Sequence, residues 1–250
     1  MIVKEKTVKK TKADEDNIKA LFSVGAHYAY SRSKRHPSAE GFIFGIKNRI
    51  EIFDLEKTEQ KIREAESFFE ELGRKRGVVL FVAGKNEAER PLKNNAEKIG
   101  QPYVAGRWVG GTITNFPEIS KRIEKLDELE NQREKGILDK YTKKERLLLD
   151  REIENLKKKF GGIRKLKDIP SAMFIIDIGK EYTAFEEAKQ KNIPVVTLSS
   201  SNCDLSKADI SIPGNDSVQK CIDHILSRIS NAYERGLKEA PPEKKEGDEK

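Results

Sequence analysis

The segment Arg107-Trp108-Val109-Gly110-Gly111-Thr112-Ile113-Thr114-Asn115-Phe116 concentrates side chains suited to recognition. It holds an arginine, the only tryptophan of the chain, paired glycines and a Thr-Asn step. Such groups favour close backbone packing and contact with phosphates or unstacked bases over acid–base work. Trp108 is expected to anchor neighbouring elements, because single tryptophans are usually buried. With Gly110, Gly111, Thr114 and Asn115 it would form a structural junction.

Other positions could carry chemistry, and each has a plainer reading. Gly84-Lys85-Asn86 ends a strand pattern and opens a helix, where a phosphate could rest on free N–H groups. The chain has no G-x-x-x-x-G-K-[ST] and no G-x-G-x-x-G after a strand, so nucleotide hydrolysis and dinucleotide binding lose their usual signatures. The plainer reading is a turn that leaves Lys85 and Arg90 to an RNA backbone. Asp177 ends a strand, where α/β enzymes place catalytic groups, yet no base, nucleophile or metal ligand accompanies it, and a helix cap is expected. His27, His36 and His224 are scattered, and His27 reads as a hydrogen-bonded packing residue. Ser199-Ser200-Ser201 reads as a polar loop and Cys203 as a small buried thiol.

Cations recur where packing cannot absorb them. Ser31-Arg32-Ser33-Lys34-Arg35-His36-Pro37 places three positive charges in one loop. Lys157, Lys158, Lys159, Arg164, Lys165 and Lys167 bunch with no acid among them. Arg32, Lys34, Arg35, Arg49, Lys85, Arg107, Arg164, Lys165 and Lys167 are thus the candidate RNA contacts, a discontinuous phosphate-binding face. The overall balance agrees: 49 Lys+Arg against 42 Asp+Glu give +7, the sign expected of a nucleic-acid partner.

The elements that must position these groups alternate. Ile18 to about Tyr28 reads as an amphipathic helix, and Phe42 to Phe53 as a small hairpin or a strand with an irregular lead-in. Helices are expected over 54–75, 86–99, 181–191 and 216–235. Strands are expected at 78–82, 103–104, 172–176, 195–198 and 210–212. Strand and helix in turn imply an α/β fold with a doubly wound, mostly parallel sheet. Into it is inserted a helical pair. Ile119, Ile123 and Leu126, then Leu149, Ile153, Leu156, Phe160 and Ile163, recur at spacings of three and four, as in an antiparallel coiled-coil hairpin. Gly136 breaks the first arm and Thr142-Lys143-Lys144-Glu145 is a capping box that restarts the second. Arms of about 18 residues would protrude roughly 27 Å. Its charges, 13 basic and 11 acidic between Glu118 and Phe160, suit a solvated hairpin better than a nucleic-acid clamp along its length.

The division expected is a basic flexible arm at 1–12, an α/β core over 13–116 and 161–236, the hairpin at 117–160, and a disordered charged tail at 237–250. Cys203 and Cys221 form no C-x-x-C pair and have no histidine at zinc spacing, so neither a disulfide framework nor a zinc site is expected. No apolar run could span a bilayer and the first residues lack a signal-peptide core, so a cytosolic protein without a membrane partner is expected.

Taken in order, a set of segments resembles the bacterial small-subunit ribosomal protein S two family. They include Gly25-Ala26-His27-Tyr28, Phe42-Ile43-Phe44-Gly45, Ile52-Phe53-Asp54-Leu55-Glu56-Lys57-Thr58 and Arg107 to Phe116. Lys159-Phe160-Gly161-Gly162-Ile163, Asp168-Ile169-Pro170, Asn202-Cys203-Asp204 and Ile212-Pro213-Gly214-Asn215-Asp216 complete the order, which covers about residues 18 to 235. The loop after His27 departs from the family, with Tyr30 and Lys34-Arg35-His36-Pro37 standing where it usually carries a His and a Trp-Asn-Pro, and Ala105-Gly106 replaces an Asn-His pair. The resemblance implies a flavodoxin-like sheet with a protruding hairpin. It implies a non-enzymatic part of the small ribosomal subunit, in the cytoplasm, between head and body on the solvent side. Ribosomal RNA and neighbouring small-subunit proteins would be its partners, with no cofactor and no small-molecule substrate. It also implies a part in placing the messenger-binding ribosomal protein S one. The residues alone leave two alternatives of other classes, an α/β enzyme holding a phosphorylated metabolite near Gly84 and Asp177 and an adaptor that uses the hairpin alone.

Overall fold

The computed structural model describes residues 12–241. Apart from Lys12, the expected basic arm lies outside the described residues, as does most of the expected tail.

The elements in order are α1 (Lys12–Ser23), β1 (Tyr28–Ser31), β2 (Ile43–Lys47), β3 (Ile50–Phe53), α2 (Leu55–Arg74), β4 (Val79–Ala83), α3 (Asn86–Lys98) and β5 (Tyr103–Ala105). Then come α4 (Phe116–Glu134), α5 (Lys143–Phe160), β6 (Ala172–Ile176), α6 (Tyr182–Gln190), β7 (Val195–Ser199), β8 (Ile210–Pro213) and α7 (Gln219–Glu239). The first helix lies earlier in the chain than its apolar spacing predicts. Gly25, at φ +77, turns the chain, and Tyr28 instead opens β1, paired with Ile52 of β3. At the other end, residues 237–239 belong to α7 and not to a tail.

Five strands form a parallel sheet in the order β5-β4-β6-β7-β8, and β1-β3-β2 form a separate antiparallel sheet. The long strands β4, β6 and β7 are buried throughout, which explains their unbroken runs of Val, Ile, Leu and Phe. Their alternate residues serve two cores. Val79, Phe81 and Phe174 pack with Phe69 of α2, Leu92 of α3 and Ile225 of α7. Leu80, Val82, Met173 and Ile175 pack on the opposite face with Phe185 of α6 and with Trp108, Ile119, Ile123 and Phe160. Fully burying a side chain of that size contributes about 1.5–3 kcal/mol. On the first face α2 and α7 approach so closely that a Cβ on Gly73 or Gly236 would strike the other helix's backbone. Arg228 of α7 ties them further, reaching Glu59 and Glu66 of α2.

Helices α4 and α5 pack against each other. Their near ends, through Ile119, Ile123 and Phe160, belong to the second sheet core. Farther out, Leu126, Leu129, Leu138 and Ile153 make a small core of their own. Gly136 ends the first helix in a left-handed conformation, φ 69, and the Thr142–Glu145 capping box opens the second. The apolar residues spaced along these helices thus divide between the body and an outer cluster.

Candidate nucleic-acid interface

The loop between β5 and α4 is organised by one carboxylate. Glu187, buried on α6, accepts from the Trp108 indole Nε1–H at 2.9 Å and the Gly111 backbone N–H at 2.8 Å. Its other oxygen accepts from the N–H groups of Ile113 and Thr114 and from the Thr114 hydroxyl, at 3.0, 3.2 and 3.2 Å. Burial alone would raise the Glu187 pKa. The donors from Trp108, Ile113, Gly111 and Thr114 outweigh it and hold the carboxyl below its ordinary range. Gly111, at φ +88, bends the loop around this acceptor, and Asn115 N–H closes a turn on the Gly111 carbonyl at 2.9 Å. Gly110 stays exposed at the tip. Sequence reasoning missed Glu187. The available signal was its place on the Ala184–Ala188 face of α6, because an acid buried on an apolar face must find donors elsewhere in the chain.

The candidate cations divide into two groups. Arg32, Lys34, Arg49, Arg107, Lys165 and Lys167 are exposed. Lys85, expected at an RNA backbone, is buried instead. Its ammonium lies 2.7 Å from Asp177 Oδ2 and 2.9 Å from Asp216 Oδ1. Burial opposes its charge, but the two carboxylates more than offset this and raise its pKa. Arg35 is engaged as well, by Glu51 at 3.1 Å and Glu40 at 3.0 Å. Arg164 meets Glu130 at 2.6 Å and Asp127 at 3.5 Å. These three charges are satisfied within the chain.

Asp177 therefore does more than cap. Its carboxylate accepts from the Lys180 N–H at 3.1 Å, pairs with Lys85, and takes the Cys203 thiol at 3.2 Å. It does so at φ 63. Burial pushes the Cys203 thiol up to about 12, with Asp177 adding to the shift, as suits a small buried thiol. Ser199, which ends β7, and Ser200 and Ser201 after it are buried and not a solvated loop: Ser199 Oγ lies 2.8 Å from Thr197 Oγ1, and Ser201 Oγ accepts from Tyr30 N–H at 3.1 Å. His27 is stacked on Phe22 and meets the Tyr28 ring at a tilt, and its Nδ1 has no partner among the described residues.

Two clefts flank Gly110. One, of about 570 Å³, lies at the carboxyl ends of β4, β5 and β6, with Arg107, Lys158 and Lys180 on its lining. The other, of about 700 Å³, opens toward α4 and α5 with Arg122, Arg151 and Lys159. All six cations are exposed, and none makes an ion pair or side-chain hydrogen bond among the described residues. Glu118 and Glu152 on the second lining are engaged instead by Lys121 and Lys125. A face of unpaired cations beside glycine-rich backbone can hold a polyanion.

The sequence matches the family described as "Ribosomal protein S2" over residues 21–236. The chain belongs to that family. It is also similar to the small ribosomal subunit protein uS2 of Mycobacteroides abscessus, with 38% identity over 220 residues, 88% of this chain and 79% of the relative. This family member is accordingly a structural protein of the small ribosomal subunit that serves in translation, and not an enzyme. The enzyme alternative near Gly84 and Asp177 is not supported, and Lys85 there is held between Asp177 and Asp216. Among the described residues no helix is long and apolar enough to cross a membrane.

Proposed function

We propose that the protein holds folded ribosomal RNA through its unpaired cations and neighbouring small-subunit proteins through its helical pair. The observation that carries this is the split among the cations. Arg107, Lys158, Lys165, Lys167 and Lys180 face solvent without an ion pair, whereas Lys85, Arg35 and Arg164 are consumed internally. The loop at Arg32 and Lys34, with Arg49, adds a second cationic area. Trp108, Gly110, Gly111, Thr114 and Asn115 act as the junction that sets the direction in which α4 leaves the body, a role supported by the bonds that converge on Glu187. The pair over residues 117–160 is read as a protruding coiled-coil arm on an α/β core, supported by its separate outer cluster. The reading takes the cytoplasmic ribosome as its place and the seating of ribosomal protein S one as part of its role, and membership of the ribosomal protein family supports the first of these.

Salt dependence tests the RNA reading. Binding to small-subunit rRNA fragments should fall steeply as salt rises. Charge reversal of Arg32 and Lys34 should lower occupancy in purified subunits while leaving the fold intact. Reversal of Arg35 should instead unfold the loop, since it would set an acid against buried Glu51. A flat salt response, or full occupancy after reversal of Arg32 and Lys34, would reject this face.

A further inference from the structure

We propose that the cleft at the carboxyl ends of β4, β5 and β6 takes one unpaired nucleotide, its base against the Glu181 carboxyl and its phosphate among Arg107, Lys158 and Lys180. This deepens the RNA reading and rests on it.

The sheet supplies the location. Numbered within the parallel sheet alone, its strands run 2-1-3-4-5, so the order reverses between β4 and β6. In open α/β sheets that reversal leaves a crevice beyond the strand ends, where ligands bind. At about 570 Å³ the cleft falls within the range of small-ligand sites.

Glu181 is a buried acid on the lining of this cleft, only 5% exposed. Its carboxyl has no hydrogen bond or ion pair among the described residues. Burial pushes its pKa up to about 7, with Lys180 opposing the rise and Asp177 adding to it. A carboxyl held without partners at the floor of a crevice is an acceptor waiting for donors. Gly84 makes room for it, because a Cβ there would collide with the Glu181 carboxylate. Glu89 stands at the side, near Gly106.

The chemistry of the ligand follows from the two ends of the cleft. The cations at its mouth suit a phosphate. The buried acceptor suits a base edge bearing N–H donors, and guanine offers two adjacent ones to the two oxygens. Uracil offers one. The nucleotide can come from an RNA strand with one residue extruded or from the free pool.

Trp108, the only tryptophan, lines the same cleft and reports on it. Its fluorescence in the purified full chain should respond to guanosine monophosphate, with uridine monophosphate weaker and ribose 5-phosphate at least tenfold weaker. Glu181→Gln should erase the guanine preference. Gly84→Ala should abolish binding, since the added methyl displaces the carboxyl. Tighter binding of a guanine-containing single-stranded oligonucleotide than of the mononucleotide assigns the site to RNA; equal binding assigns it to free nucleotide. Ribose 5-phosphate binding as tightly as guanosine monophosphate would overturn the inference, as would a Glu181→Gln protein that keeps the guanine preference. Retained salt-dependent rRNA binding alongside either result confines the failure to this cleft. Loss of rRNA binding with guanosine monophosphate still bound would instead reject the RNA face and leave the nucleotide site standing.

Discussion

Lys85 and Lys180 leave the same end of the same sheet, one after β4 and the other after β6, yet one is locked and the other free. Lys85 points into the gap between Asp177 and Asp216, which the ends of β6 and β8 bring to 2.7 and 2.9 Å from its ammonium. Lys180 lies just past Asp177 in the chain and is exposed. Identical charge thus has opposite consequences. A cation inside the ring of strand ends fixes loops to one another, and a cation on the rim is left for a partner. Availability depends on which acids the topology brings within reach, not on how many positive charges a segment carries.

The sharpest way to break this comparison is Lys85→Met. It would leave Asp177 and Asp216 buried without a counter-charge, and removing one partner of a buried ion pair costs about 3–5 kcal/mol. Denaturant unfolding should show that cost at neutral pH. The deficit should shrink on acidification, because a protonated carboxyl no longer needs the ammonium. A variant within about 1 kcal/mol of the parent would fall well short of that cost and show that the triad is incidental to the fold.

Glu187→Gln is expected next in size. The amide would turn an N–H pair toward donors that need an acceptor, at a cost of about 2–3 kcal/mol. The sign with pH is specific. The folded pKa of Glu187 lies below its ordinary 4.5, so its contribution is fully present above that value and disappears as pH falls through the folded pKa. The variant should therefore lose less stability than the parent across that acid window. Equal losses in both would mean that the junction draws nothing from the charge of Glu187.

Most of the sheet was legible in the sequence because strands covered on both faces must be apolar without a break, as Ala172–Ile176 and Val195–Ser199 nearly are. The capping box at Thr142 was legible because both of its partners are local. What escaped depends on residues far apart in the chain. Glu187 meets Trp108 from 79 residues away, and Glu51 meets Arg35 across a loop. β1 was hidden for a different reason: it is four residues long, and an irregular register joins it to β3. Charged residues were thus the least legible, since a lysine in a loop reads the same whether it ends on a carboxylate or on water.

The rim cations are the remaining half of the comparison and should barely affect stability. Changing Arg107, Lys158 and Lys180 together to glutamine removes no internal pair, so unfolding should stay within about 0.5 kcal/mol of the parent. RNA should respond where the fold does not. Removing one phosphate contact lowers the slope of log affinity against log salt by about 0.7 for a single strand, so removing all three would lower it by about 2. The same measurement on a folded Lys85 variant should leave the slope unchanged, because that ammonium is already committed to Asp177 and Asp216. If the triple variant kept its slope while a Lys85 variant showed a shallower one, the assignment of locked and free cations would be reversed, and the strand ends themselves would have to be the surface that meets RNA.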